Sequence, residues 1–404
     1  MNGATDNALG IYVSIPFCRS KCTYCNFAAG VYPAGDHARY VERLIEDLAA
    51  AWEWGASLGA ELQRNIDTVY LGGGTPTLLE PELLARLFSA MRAGFDFDAD
   101  TEITVECAPG QLPVSTLAAL AAAGVNRISL GVQSFVDAEA HASGRLHDRA
   151  TVEADLRRLR AAGIANLNVD LIAGLPGQTF ASWEESLAAL VDSGVPHASV
   201  YMLEVDEDSR LGREMLAGGS RYRAGLVPND DSIAQMYERA IERLEQAGLH
   251  QYEISNFSRP GFESRHNLRY WQRRPYLGVG LDASSMLRSA PPQNSVLRST
   301  TTDDLKAYLA RPEIAETTWI TAARQHEEAW FLGLRMNNGV DVAALEREFG
   351  STLVEPAMQT VERLVDDGLL ISDRGRVRLT SRGRLISNHV FQEFLDLVAE
   401  TATP

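Results

Sequence analysis

The chain has 404 residues, 45% of them apolar and 23% charged, with a formal net charge of -17. This composition suits a soluble protein of more than one domain and excludes a disordered or collagenous chain. Four cysteines over this length exclude a disulfide framework, the acidic surplus argues against charge-driven nucleic-acid binding, and no apolar run reaches the length of a membrane-spanning helix.

Met1–Asn7 has neither a basic start nor an apolar signal core, so a cytosolic protein is expected. A short apolar strand, Ile11–Ile15, stops at Pro16 and leads into Cys18-Arg19-Ser20-Lys21-Cys22-Thr23-Tyr24-Cys25. Three of the four cysteines thus lie within eight residues, in the spacing CxxxCxxC. Three thiolates on one loop suit an iron–sulfur cluster. Structural zinc prefers four closed ligands in paired spacings, and only Cys107 is left to complete such a set. Three protein ligands on a four-iron cluster leave one iron open to a substrate or cofactor, as in catalytic metal sites generally.

A helix over Tyr40–Leu58 precedes a strand at Thr68–Leu71 that runs into Gly72-Gly73-Gly74-Thr75-Pro76. These glycines either let backbone groups approach a ligand or make a plain turn. Helices at Pro81–Met91, Val114–Ala123, Thr151–Ala162 and Phe180–Asp192 then alternate with strands at Glu102–Glu106, Arg127–Val132, Leu167–Leu171 and Ser199–Leu203. Six such strand units predict a parallel α/β architecture, an incomplete barrel. The cysteine loop follows the first strand and the glycine loop the second. Glu106 ends the third, Gln133 follows the fourth and Asp170 ends the fifth. Parallel barrels keep their sites at this rim, so the motifs converge. Cys107, beside Glu106, is expected to face the other way, into packing.

Ser289–Ser295 is proline-rich and polar and reads as a loop that ends or interrupts this region. Glu327–Arg335 opens a smaller module, with helical patterns at Val342–Phe349 and Glu355–Asp367. Gly368–Ser372 and Arg376–Thr380, joined at Arg374-Gly375, read as the strands and turn of a winged-helix-like unit, followed by a last helix from Arg382 toward Leu397. Arginines at 374, 376, 378, 382 and 384 could meet phosphate, but the net charge of -17 favours a packing domain over a DNA binder.

The spacing of Cys18, Cys22 and Cys25 resembles the radical S-adenosylmethionine (SAM) superfamily, which implies a [4Fe-4S] cluster whose open iron chelates the amino and carboxylate groups of SAM. YVSIPFCRSKCTYCNF, GGGTP, GVNRISLGVQSF and DLIAGLPGQT resemble the branch that holds the oxygen-independent coproporphyrinogen III oxidase HemN and the heme chaperone HemW. The implied fold is α/β, a radical SAM partial (β/α)6 TIM-like barrel with a smaller C-terminal helical and winged-helix-like domain. The core is expected over residues 1–290 and the HemN-type C-terminal domain over 303–404. The resemblance implies that Cys18, Cys22 and Cys25 hold the cluster. It places Tyr12, Tyr24, Gly73, Gly74, Thr75, Glu106, Gln133, Arg145 and Asp170 around SAM.

Oxidases of this branch carry a further cysteine two residues after the third, where this chain has Phe27, and a long arm before the cluster, where 17 residues precede Cys18. His266-Asn267-Leu268-Arg269-Tyr270-Trp271 fits the HNxxYW motif of the HemW family, which implies a heme-holding role for His266 beside Tyr270 and Trp271. A structural histidine is the alternative. Ser264 stands where a cysteine often precedes this motif, and Asp282–Ser285 stands where a glycine-alanine-histidine ending is expected. The expected function is a heme chaperone that binds heme, a [4Fe-4S] cluster and SAM and transfers heme to acceptors such as respiratory cytochromes. The alternative is a radical SAM oxidoreductase that decarboxylates a tetrapyrrole. A cytoplasmic location, peripheral contact with membrane cytochromes through a partner, a cluster-dependent homodimer and no nucleic-acid partner complete the expectation.

Overall fold

The computed structural model describes residues 8–290, 295–310, 315–395 and 397. Six parallel strands follow one another across a single sheet: β1 (Leu9–Ile15), β2 (Asn65–Gly73), β3 (Asp96–Cys107), β4 (Arg127–Gln133), β5 (Asn166–Ala173) and β6 (His197–Met202). Helices Gly35–Ser57, Pro81–Gly94, Val114–Ala122, Arg149–Ala161 and Phe180–Ser193 connect them. Their starts follow ordinary capping chemistry: the Thr179 hydroxyl accepts from the Ser182 N–H in a reciprocal capping box, and Asp148 accepts from the Thr151 N–H.

Every strand alternates. Ile11, Val13, Val69, Leu71, Val105, Ile128, Leu130, Val169 and Val200 face the helices and join the main core. Each buried aliphatic side chain of this kind contributes roughly 1.5–3 kcal/mol. The residues between them, including Tyr70, Glu106, Arg127, Ser129, Asn168, Asp170 and Ser199, face a cavity on the concave side. A barrel interior is usually filled by aliphatic layers, so this polar concave face marks a binding surface.

The sheet extends beyond the six units to 13 strands and stays open. On one edge, β7 (Asn256–Ser258) pairs antiparallel with β6. On the other, β8 (Tyr276–Gly280) lies parallel to β1, followed by the antiparallel strands β9 (Ser284–Ser289), β10 (Val296–Thr301) and β11 (Ala315–Ile320). The proline-rich stretch Ser289–Ser295 falls between the paired strands β9 and β10, and its positions 291–294 lie outside the described residues. Met1–Asn7 also lies outside them.

Leu305 and Tyr308 pack in the barrel core, where the Tyr308 hydroxyl donates to Asp47 at 2.5 Å. Helix Ala322–Arg335 contributes Ala329, Trp330 and Leu334 to a separate cluster. A second core surrounds Trp330, stacked on Phe394 with ring centroids 5.0 Å apart. Helices Val342–Phe349 and Ser351–Asp366 and a three-stranded sheet of Val340–Asp341, Leu370–Asp373 and Arg376–Leu379 complete it. The hairpin turns at Arg374 and Gly375, both at positive φ (51° and 75°), as a tight two-residue turn requires. The expected last helix is not continuous. Ser381–Leu385 and Ser387–Gln392 are separate, because the backbone leaves the helical region at Ile386 (φ -118°, ψ 34°). The break aims Leu385 through His389 at the barrel cavity.

Candidate cluster and cofactor site

The carboxyl ends of the six strands open onto one cavity of about 1190 Å³. After β1 the chain loops out through the three cysteines and returns at Gly30. The Gly30 N–H donates to the Pro16 carbonyl at 2.8 Å and its own carbonyl accepts from the Cys18 N–H at 2.8 Å. At the far side, the Thr23 N–H donates to the Ser143 carbonyl at 3.0 Å, and the Thr23 carbonyl accepts from the Leu211 N–H at 2.8 Å. With both ends tied, Cys18, Cys22 and Cys25 border the cavity as free thiols. Gly144 lets the loop come this close: its φ is +90° and a Cβ there would lie 3.3 Å from the Cys22 Cα.

Arg145 follows, half-buried, with Nη1 donating to the Cys22 Sγ at 3.4 Å and Nη2 donating to the Gly131 carbonyl. Burial pushes the Cys18 thiol up to about 11, against the hydrogen bond from Thr75, and raises Cys25 as well. Metal ligation requires these protons to leave, and the Arg145 cation favours the thiolate form of its neighbours. Three free thiols and a half-buried arginine fit an iron–sulfur cluster. Among the described residues no three His, Cys, Asp or Glu side chains converge on a single-ion position.

The glycine loop packs against the same strand. The Gly74 N–H donates to the Ile15 carbonyl and the Thr75 N–H to the Phe17 carbonyl, both at 2.8 Å. A Cβ at Gly74 would stand 2.8 Å from those two carbonyls, and one at Gly72 would meet the Tyr70 ring and the Glu106 carboxyl. The glycines thus serve the close approach of protein to protein, and with it they set the edge of the cavity. The Gly73 N–H donates to Glu106 Oε2 at 3.2 Å and the Tyr70 hydroxyl to Oε1 at 2.8 Å. Burial raises Glu106 to about 7, against the pull of the Tyr70 hydroxyl, with the Asp170 charge adding to the rise. Asp170 is also raised by burial, although it accepts from Asn168 Nδ2 at 2.7 Å and from the Ser129 hydroxyl at 3.1 Å. Gln133 follows a bulge in the β4–β5 pairing and has a φ of 72°, which re-aims it at the cavity rim.

Cys18, Cys22, Tyr24, Cys25, Gly73, Gly74, Thr75, Glu106, Gln133, Arg145 and Asp170 therefore share one wall. Tyr12 and His266 do not border it. Tyr12 packs behind the wall, its ring 6.2 Å from Tyr70 and 6.5 Å from His266. His266 is fully buried, with Nδ1 3.0 Å from the Thr68 hydroxyl and Nε2 2.8 Å from the Tyr270 hydroxyl. Burial, with the Arg269 and Arg127 charges, holds its pKa well below the ordinary histidine value. Both ring nitrogens are thus engaged by hydroxyls of the protein. Ser264 has its own task, capping helix Arg265–Trp271 by accepting from the Asn267 N–H. Cys107 is buried in the main core, where its sulfur accepts from the Thr77 hydroxyl at 3.7 Å.

Tyr70, Arg127, Ser129, Asn168 and Ser199 also line the cavity, and the sequence reading gave none of them a site role. The signal for them was present: polar residues at every second position of otherwise apolar strands.

The Radical SAM superfamily model matches residues 12–190, and the HemN C-terminal domain model matches residues 320–386. Heme chaperone HemW of Lactococcus lactis is 35% identical over 386 residues, covering 95% of this chain and 96% of the relative. Heme chaperone HemW of Bacillus subtilis is 33% identical over 392 residues, covering 95% and 98%. The solved structure of coproporphyrinogen III oxidase (HemN) from Escherichia coli superposes with a TM-score of 0.80 at 23% identity, covering 97% of this chain and 91% of that one, a likeness of fold.

Proposed function

This chain belongs to the radical SAM superfamily and, within it, to the HemW family, and from that premise we propose that it is a heme chaperone carrying a [4Fe-4S] cluster and SAM. Full-length likeness to relatives named as heme chaperones is the observation that supports this reading most. The oxidase reading has the shared fold behind it, but Phe27 is exposed on the cysteine loop where the oxidases carry a further cysteine.

Cys18, Cys22 and Cys25 would hold the cluster. When bound, it supplies an open iron for the amino and carboxylate groups of SAM. Arg145 neutralises thiolate charge and keeps the loop against β4 through Gly131. Each carboxylate oxygen of Glu106 and Asp170 can accept more hydrogen bonds than the protein already gives it, which leaves both able to take donors from a ligand. Gln133 offers an amide donor and acceptor at the rim. Thr75, within 4.0 Å of the Cys18 sulfur, and Tyr24 close the wall beside the cysteines. Heme acceptors, cytochromes among them, complete the proposal. No described helix is long and apolar enough to cross a membrane.

The test is an anaerobic heme titration of cluster-reconstituted protein followed by absorbance. Saturable uptake, without loss of carbon dioxide from coproporphyrinogen III, supports the chaperone. Decarboxylation with no heme uptake would replace it with the oxidase.

A further inference from the structure

We infer that the Arg127 guanidinium anchors a carboxylate-binding subsite at the inner end of the cavity. Among the described residues two arginines are buried almost completely, Arg127 at 1% exposure and Arg269 at 0%. Arg269 is fully partnered: it pairs with Asp67 and donates to the Thr68 hydroxyl and to the Ala8 and Pro275 carbonyls. Arg127 has nothing comparable. No hydrogen bond or ion pair from the described residues reaches its guanidinium, and its Nε is sealed from solvent without a partner. Taking a cation out of water with no counter-charge is costly, and such groups are otherwise paired in folded proteins. Arg127 borders the cavity, so the cavity is where a partner can reach it.

Its place on β4 gives the depth. Gln133 ends the strand at the rim and Gly131 holds Arg145 there, whereas Arg127 is the first residue of the strand. At about 3.3 Å per residue, the Arg127 backbone lies roughly 20 Å below Gln133 and roughly 13 Å below Gly131. On the proposed reading SAM commits its carboxylate to the cluster iron at the rim, so a carboxylate at Arg127 belongs to a second molecule. The protein's own acids do not fill the place. Asp170, raised by burial, feels the Arg127 charge in the opposite sense, but it accepts from Asn168 and Ser129, and Glu106 accepts from Tyr70 and Gly73. Thr104 stands opposite Arg127 in the β3–β4 register, fully buried, and its hydroxyl also lacks a partner, a second donor beside the guanidinium. Water would meet a hydrogen bond here but leave the charge uncompensated. A planar carboxylate meets both needs, taking two parallel hydrogen bonds from the guanidinium.

Melting curves of the full-length, cluster-free protein in sodium propionate and in sodium chloride at equal ionic strength test the subsite, on the wild type, Arg127→Met and Arg127→Lys. Methionine keeps the apolar stem and removes an uncompensated charge, so ligand-free Arg127→Met is expected to melt at or above the wild type. Propionate is expected to raise the wild-type Tm relative to chloride, to leave Arg127→Met unmoved and to keep part of its effect on Arg127→Lys. Titrations with heme and heme dimethyl ester identify the source of the carboxylate. Where heme supplies it, the ester binds the wild type roughly thirtyfold or more weakly than heme does, and the two bind Arg127→Met alike. Equal binding of heme and ester with the propionate effect intact would support the subsite and assign it to a separate small acid. No propionate effect in the wild type together with equal binding of heme and ester would overturn it and leave Arg127 as an internal counter-charge for Asp170. Absence of all heme binding would overturn the chaperone reading, and the propionate comparison would then decide the subsite alone.

Discussion

The imidazole of His266 stacks on the ring of Tyr70 with centroids 5.3 Å apart, and the Tyr70 hydroxyl donates to Glu106 at 2.8 Å. The helix Arg265–Trp271 is thereby tied to the cavity wall through one aromatic contact and one hydrogen bond. The Glu102 carboxylate accepts from the Arg265 and His266 N–H groups at 3.1 and 3.0 Å, anchoring the helix start on β3. The motif is a brace behind the rim.

Replacing His266 with alanine should therefore cost stability first. The Tyr270 hydroxyl loses its ring partner, Thr68 loses one of its two, and a cavity opens among Tyr12, Tyr70 and Tyr270. Together these effects amount to about 3 kcal/mol or more. Denaturant unfolding of the cluster-free protein measures the loss, and heme titration of the folded fraction should change less than tenfold. A fully stable variant with no heme affinity would show that His266 is an iron ligand after all.

Glu106 gives a pH signature. Its folded pKa of about 7 lies above the ordinary 4.5, so between those values the native state holds a proton that the unfolded state has lost. Stability should fall as pH rises through this window, by on the order of 3 kcal/mol in total, and stay level with respect to this group below it. Unfolding of Glu106→Gln should lack that slope. An unchanged pH dependence in the variant would assign the slope to another group.

The cysteines should divide three against one. Removing Cys18, Cys22 and Cys25 together is expected to abolish brown cluster absorbance and bound iron, whereas Cys107→Ala, buried at the Thr77 contact, should keep both. Iron analysis after reconstitution decides; cluster absorbance surviving in the triple variant would refute the ligand set.

Gly144→Ala probes how the loop is seated. The added methyl meets the Cys22 Cα at 3.3 Å on a backbone at φ +90°, so the loop must shift or the turn must strain. Reduced iron loading with a near-native melting temperature is the expected result. Full loading at wild-type rates would mean that the loop has freedom the contacts do not suggest.

Local patterns carried much of the architecture in advance. Six strand positions, the rim placement of the cysteine, glycine and carboxylate motifs, and the Arg374-Gly375 hairpin all follow from short-range periodicity and turn chemistry. Strand β8 did not, because a run as short as Tyr276–Gly280 shows no period of its own and its partner, β1, lies more than two hundred residues away. Tyr70, Arg127 and Asn168 escaped for a different reason: each sits in or beside a motif, but its exposure to the cavity follows from the alternation of the whole strand. The contacts of His266 could not be read from residue type, since Thr68 and Tyr270 reach its two ring nitrogens only in the folded chain. The break at Ile386 depends on packing of the last segment against the barrel mouth, which no helix pattern encodes.

The central claim, that this chain carries heme and hands it on, is tested most directly by mixing heme-loaded, cluster-reconstituted protein with an apocytochrome and separating the two by size. The account predicts that heme appears on the acceptor, at a rate that falls when the three cluster cysteines are replaced. Heme that never leaves the chain, together with carbon dioxide released from coproporphyrinogen III, would contradict it.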